Sequence, residues 1–172
     1  MADIDLAAEV HHAGGSYPVV AGWGLIDSLG DRFTDLGLTN TAYIISDSNV
    51  MNLYGRNVQR ALQKRGIAAH CFIIPAGETS KSFDLAQAIY TWLAGLKAER
   101  GHTIVSVGGG VAGDLGGFVA ATYLRGMAFV QVPTSMAAMV DASIGGKVAI
   151  NLPAVSYTHL RAHATEADLV CR

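Results

Sequence analysis

The chain is predicted to fold as an α/β protein, a parallel sheet carrying helices on both faces. Two observations predict this. From residue 41 to residue 133, short apolar runs alternate with segments whose apolar residues recur at helical spacing, the pattern of strands joined by crossover helices. Within that alternation, a β-branched run at residues 103–107 passes through Gly108, Gly109 and Gly110 into a small-residue, helix-length stretch at 111–123. Composition agrees: 51% hydrophobic against 15% charged is a chain that buries a core, and 172 residues suffice for one compact domain.

Taken in order, residues 4–10 and 17–21 read as strands, with Gly14 and Gly15 making a hairpin-like connection. His11 and His12 are adjacent. On a strand they face opposite ways and share no metal, so they read as turn or surface residues. Residues 25–36 read as a helix with Asp27 or Ser28 near its start and Gly37 ending it. Residues 41–46 are a short apolar run, hence a buried strand, followed by Asp47, Ser48 and Asn49. Val50, Leu53, Tyr54, Val58, Ala61 and Leu62 then fall at helical spacing, with Arg56, Arg60 and Lys64 on the opposite face. Gly66 closes this helix after Lys64 and Arg65, whose charges suit its negative end. Residues 68–74 form the next strand, in which Cys71 packs as a small hydrophobe. Residues 75–81 lead into an amphipathic helix presenting Leu85, Ile89, Trp92, Leu93 and Leu96.

A strand, a glycine turn and a helix in succession can hold a phosphate. Glycine admits close backbone approach and positive φ, and a helix start offers unpaired N–H groups to an anion. Gly108, Gly110 and Gly113 also satisfy G-x-G-x-x-G, but the dinucleotide fingerprint expects an acidic residue about 20 positions on. Val132, Pro133, Thr134 and Ser135 stand there instead. The glycines fit equally well a tight turn in which Gly113, Gly116 and Gly117 permit close helix–strand packing. In parallel sheets ligands bind at the carboxyl ends of strands. Asp47 with Asn49, Glu78 with Lys81, and the glycine turn all fall there, which predicts one crevice.

Each residue has a structural reading beside its functional one. Asp47 either caps a helix or accepts hydrogen bonds from a ribose or adenosine edge, with Ser48 supplying the cap. Glu78 and Lys81 form a solvated i, i+3 pair or a second ligand contact. Asp114 is favoured near a helix start by the dipole and can also orient a bound group. The hydroxyls of Thr134 and Ser135 either cap the segment beginning at Met136 or hydrogen-bond a cofactor.

Several short motifs in register resemble 3-dehydroquinate synthases. They are residues 108–114 (GGGVAGD), 123–126 (YLRG), 132–135 (VPTS) and 141–147 (DASIGGK), in that family's order and spacing. Ser135 stands where the family usually has Thr, and the hydroxyl is kept. The resemblance implies that residues 1–153 are an NAD-binding, Rossmann-like N-terminal domain. The implied NAD contacts are Asp47, Asn49, Glu78, Lys81, Gly109, Gly110, Val111, Gly113, Asp114, Thr134, Ser135 and Lys147. Arg125, Asp141 and Lys147 would meet substrate, with Asp141 and Lys147 catalytic. A guanidinium at Arg125 forks well onto carboxylate or phosphate. Asp141 would hold a hydroxyl, and Lys147 would stabilise developing negative charge.

The implied reaction converts 3-deoxy-D-arabino-heptulosonate 7-phosphate to 3-dehydroquinate and phosphate, in the shikimate pathway leading to chorismate and aromatic amino acids. One hydroxyl is oxidised, the neighbouring C–H is acidified, phosphate leaves by β-elimination, the ketone is reduced again, and an aldol step closes the ring. A divalent metal, zinc or cobalt, is implied for the complete enzyme only. Its ligands, one Glu and two His, belong to a second, helical domain. A homodimer is expected at full length. The rival readings are another sugar-phosphate cyclase, a metal-dependent alcohol or glycerol dehydrogenase, and a non-catalytic nucleotide-binding module.

After Pro153 the resemblance stops and composition changes abruptly. Residues 154–172 read as a non-native or disordered tail, akin to translated adapter sequence. His159 and His163, an i, i+4 pair near Glu166, would share a helix face, but a metal site there is rejected on the same ground. Cys71 and Cys171 have no metal or redox spacing. The net charge of −2 gives no basic excess for nucleic acid or an anionic membrane. No stretch has the length of a spanning helix and the first residues do not read as a signal peptide, so a cytoplasmic location is expected.

Overall fold

Strand β1 (Leu6–His12) pairs antiparallel with β2 (Gly15–Val20), His12 lying opposite Gly15. These are the first elements of a computed structural model that describes residues 6–12, 15–38, 40–152, 159–163 and 169–171. Ile4 and Gly14 of the expected hairpin lie outside the described residues. The helix expected over 25–36 is shorter: α1 spans Leu29–Asp35. The preceding residues form i→i+3 turns, Asp27 N–H to Gly24 O and Ser28 N–H to Leu25 O, and the Ser28 hydroxyl donates to Leu25 O rather than capping α1.

Then come β3 (Thr41–Asp47), α2 (Ser48–Val50), a π-helical stretch (Met51–Gly55) and α3 (Arg56–Gln63). These are followed by β4 (Ala68–Ile74), α4 (Phe83–Gly95), β5 (Thr103–Gly108), α5 (Gly110–Thr122), β6 (Ala128–Pro133) and β7 (Lys147–Asn151). Two described parts of the tail are strands, β8 (His159–His163) and β9 (Leu169–Cys171). His159 and His163 lie on a strand rather than a helix, and Glu166 is outside the described residues.

The main sheet has the order β1-β2-β9-β6-β5-β3-β4. It is parallel except at the β1–β2 edge, as the expected hairpin and the alternating strands and helices after it require. A hairpin can only return antiparallel, so a two-strand opening dictates this edge. Strand alternation sorts the core into two layers. Ala42, Ile44, Val105, Val107, Val130 and Val132 meet Leu29, Phe33, Val58 and Leu62 of α1 and α3. Tyr43, Ile45, Ile104 and Phe129 meet Ile89 and Leu93 of α4 and Leu115, Phe118 and Val119 of α5. Cys71 packs against the first layer, and burial pushes its thiol pKa up, partly offset by Arg56.

On the second face a further layer covers α5. Strand β7 pairs with β8 and sets Val148 and Ile150 against the helix. The helix is thus sandwiched, and its glycines match that position. A Cβ at Gly116 would land on Ser106 Oγ, one at Gly117 on Val148 Cγ1, and one at Gly113 would sit 2.8 Å from Gln131 Oε1. Among the described residues no helix is long and apolar enough to cross a membrane.

Far from these glycines, the buried Tyr43 hydroxyl meets His102 Nδ1 at 3.1 Å. The Glu99 N–H donates to the same nitrogen at 3.2 Å, so Nδ1 is the acceptor and Tyr43 the donor. Burial, with smaller contributions from Tyr123 and Glu99, raises the Tyr43 pKa and keeps it protonated for this role. We expect His102→Ala to cost about 1–3 kcal/mol because it orphans a buried hydroxyl, and Tyr43→Phe in that background to add little. Urea denaturation of these two variants and of Tyr43→Phe alone measures this; additive losses would refute it.

Candidate functional site

Three loops meet at the carboxyl end of the sheet. The first is the turn between β5 and α5. Thr134 N–H donates to Gly108 O at 2.9 Å, which ties the turn to the end of β6, and Gly108 lies opposite Pro133 in register. None of Gly108, Gly109 and Gly110 has positive φ. Their small size serves close approach instead. A Cβ on Gly108 would lie 2.7 Å from the Ala112 Cβ, and one on Gly109 3.2 Å from Ser135 Oγ. Gly109 is the N-cap of α5 and offers no side-chain hydrogen bond, so the first N–H groups of a 13-residue helix have no side-chain cap. This is the arrangement suited to an anion.

Asp47 ends β3 beside that turn. Its Oδ1 accepts from Asn49 N–H at 2.8 Å and Val50 N–H at 3.0 Å, while Oδ2 lies 3.8 Å from the Cβ position of Gly108. Asp47 itself, not Ser48, is the cap; Ser48 is the first helical residue. The two readings of Asp47 are compatible because each oxygen has its own direction.

The second loop follows β4. Gly77 (φ +116°) turns the chain into the short helical turn Glu78–Ser80, closed by Ser80 Oγ donating to Pro75 O at 2.6 Å. Glu78 and Lys81 do not pair with each other. Lys81 reaches across to Asp114 of α5, their side chains only 10% and 20% exposed. The exposed Glu78 carboxylate accepts instead from Asn151 Nδ2 at 3.1 Å.

The third loop follows β6. Ser135 Oγ accepts from Ala138 N–H at 3.4 Å, so it caps this segment while lining the glycine turn. The turn Ala138–Ala142 brings Ala142 Cβ to 3.7 Å from the Cβ position of Gly110. Asp141 and Lys147 form an exposed pair at 3.5 Å. Gly145 and Gly146 between them have φ of +87° and +63°, so left-handed backbone accounts for this glycine pair. Gly145 N–H donates to the buried Tyr17 hydroxyl at 2.8 Å, pinning the loop to the first hairpin.

One residue expected at the crevice is elsewhere. Arg125 lies beyond the far end of α5, about 20 Å along the helix from the glycine turn. The helix runs back against β5, so residues after it fall at the amino-terminal edge, where β5 and β6 begin. Within one chain Arg125 does not join Asp141 and Lys147. Gly113, one turn into α5, donates its N–H to Gly109 O at 3.1 Å and faces Gln131, so it also meets a packing constraint. Conversely, Asn151 and Tyr17 position the site and carried no local signal. Among the described residues no group of three His, Cys, Asp or Glu is placed to hold a metal ion.

Residues 71–158 match the sequence profile of the 3-dehydroquinate synthase N-terminal family. The chain belongs to the 3-dehydroquinate synthase family. The matched span contains Glu78, Lys81, the glycine turn, Asp141 and Lys147, whereas Asp47 and Asn49 precede it. Over 138 residues the chain is 46% identical to the 3-dehydroquinate synthase of Symbiobacterium thermophilum, covering 80% of this chain and 38% of that protein. The chain thus spans about two fifths of the length of the 3-dehydroquinate synthases it matches. The fold is shared with solved sugar-phosphate cyclases. A 2-deoxy-scyllo-inosose synthase complexed with carbaglucose-6-phosphate, NAD+ and Co2+ superposes with a TM-score of 0.85 at 24% identity, over 95% of this chain and 44% of that one. The 2-epi-5-epi-valiolone synthase of Streptomyces hygroscopicus subsp. jinggangensis, with NAD+ and Zn2+ bound, gives 0.79 at 24% identity, over 96% of this chain and 44% of that one.

Proposed function

We propose that residues 1–153 are the NAD-binding part of a 3-dehydroquinate synthase, acting on 3-deoxy-D-arabino-heptulosonate 7-phosphate. The observation that carries this reading is the uncapped start of α5 with Asp47 Oδ2 and Ser135 Oγ on either side of it. Amide N–H groups there suit a pyrophosphate, a carboxylate suits a ribose hydroxyl, and a neutral hydroxyl suits the cofactor's polar edge. The residues present therefore fit NAD. Backbone amides from Gly109 to Val111 would hold its phosphates. Asp47 and Glu78 would take sugar hydroxyls, and Asp114, fixed by Lys81, would face the nicotinamide side with Thr134 and Ser135. NAD supplies a reversible hydride acceptor for one substrate hydroxyl.

The exposed Asp141–Lys147 pair supports the substrate reading. An ammonium there draws phosphate or carboxylate oxygens and steadies negative charge, while the carboxylate orients a hydroxyl. The NAD+ and the cobalt or zinc of the two solved cyclases support a divalent metal in the complete enzyme. The described residues offer it no ligand set, and no step is assigned to it. The complete protein would be a homodimeric cytoplasmic enzyme. Turnover is expected from the whole length of such an enzyme and not from this chain alone. Phosphate release from the heptulosonate phosphate by the purified chain would contradict that.

The first test is NAD titration of the 172-residue chain. Asp47→Asn keeps the cap acceptor and removes the charge. Hydrogen bonds to charged groups contribute about 1.5–3 kcal/mol, so affinity should fall roughly 10- to 100-fold with little loss of stability. No NAD binding by the unsubstituted chain, or equal binding by Asp47→Asn, would overturn the assignment.

A further inference from the structure

We infer that Asn151 is a positioning residue that aims the Glu78 carboxylate at a ribose hydroxyl pair of the bound dinucleotide. The inference rests on the NAD reading above. Asn151 ends β7, the strand that begins at Lys147, and meets Ser82 through an isolated parallel bridge. Its N–H donates to Lys81 O at 2.8 Å, and its side-chain amide donates to Glu78 Oε1 at 3.1 Å. One residue thus grips both ends of the turn from Glu78 to Lys81.

The two bonds do different things. The backbone bond attaches the turn to β7, and any residue but proline at 151 would make it. Ser80 Oγ on Pro75 O and Lys81 on Asp114 already hold the same turn from two other directions. The side-chain bond goes to an exposed carboxylate and adds little to folding, because water competes for both partners. Its consequence is directional. With Oε1 engaged by a neutral donor, the glutamate is held in one rotamer and Oε2 remains to accept from a ligand hydroxyl. A glutamate side chain otherwise loses substantial rotamer freedom on binding, and orienting it in advance removes that loss from the binding step. A neutral amide also leaves the carboxylate its full charge, as a hydroxyl-accepting group requires.

The test is a double-mutant cycle read by NAD titration of the full 172-residue chain. Asn151→Ala should weaken NAD binding about three- to tenfold, the cost of ordering one long side chain. Asn151→Asp, the same size but an acceptor against a carboxylate, should weaken it further. In a Glu78→Ala background, Asn151→Ala should change nothing more, because it acts through Glu78. Equal weakening in both backgrounds would mean a purely structural role, and an unchanged affinity in Asn151→Ala and Asn151→Asp would mean none; either overturns the inference alone. Loss of NAD binding in the unsubstituted chain overturns it together with the nucleotide reading. If Asn151→Ala does not fold, the isosteric Asp variant, alone and with Glu78→Ala, decides the question.

Discussion

Lys81→Met is expected to destabilise the domain by about 3 kcal/mol, the lower end of the range for stripping one partner from a buried ion pair. Lys81 is 8% exposed, and its ammonium lies on the Asp114 carboxylate, itself mostly shielded between α5 and the turn after β4. Methionine fills nearly the same volume, so packing survives while the carboxylate loses its counter-charge. The Asp114 side chain is 20% exposed, so solvent screens part of the loss, which is why the low end applies. The control is Lys81→Met with Asp114→Leu. Removing both charges should recover most of the stability while abolishing NAD binding, since Asp114 is also assigned to the cofactor. Chemical denaturation supplies the first number and NAD titration the second. A single Lys81→Met variant within about 0.5 kcal/mol of the parent would show that the pair contributes nothing net, as exposed pairs do.

The other large effect is steric. Gly117→Ala should cost about 3 kcal/mol, the upper end for overpacking a filled core, and lower the melting temperature by roughly 10 °C in a domain of this size. The added methyl would land on Val148 Cγ1 and sit 2.9 Å from Phe129 Cε1, with the sheet on one side of α5 and β7 on the other. Neither layer can recede without opening a gap elsewhere. Gly95, with open space at its Cβ position, is the matched control: Gly95→Ala should be neutral or mildly stabilising through helix propensity. Equal melting temperatures for the two variants would show that the layers around α5 leave room for a methyl group.

Much of the architecture was legible from local pattern. Residues 41–46, 68–74 and 103–107 are strands because each is a short apolar run between polar or glycine boundaries, and β3, β4 and β5 follow them to within a residue. Gly66 ends its helix with φ +77°, as a glycine after Lys64 and Arg65 suggests. The grouping of Asp47 with the glycine turn was also legible, because parallel topology puts every strand's carboxyl end on one edge. Motif order does not show which residues share an edge of the sheet. Arg125 lies close in sequence to Thr134 and Asp141, but one helix of 13 residues carries it to the other edge of the sheet. Likewise Glu78 and Lys81 are near neighbours in the chain, and their side chains leave in different directions.

Hydrophobic periodicity, glycine punctuation and charge placement therefore specify which segments are strands and helices, and the rule for parallel sheets specifies the edge where a ligand binds. They act over a few residues, and a single chain displays them directly. Partner choice acts across long separations: Lys81 with Asp114, Glu78 with Asn151, Tyr17 with Gly145. Those pairings depend on how layers stack and which way each side chain leaves its backbone. That geometry exists once the core has closed, and no local feature of the sequence encodes it.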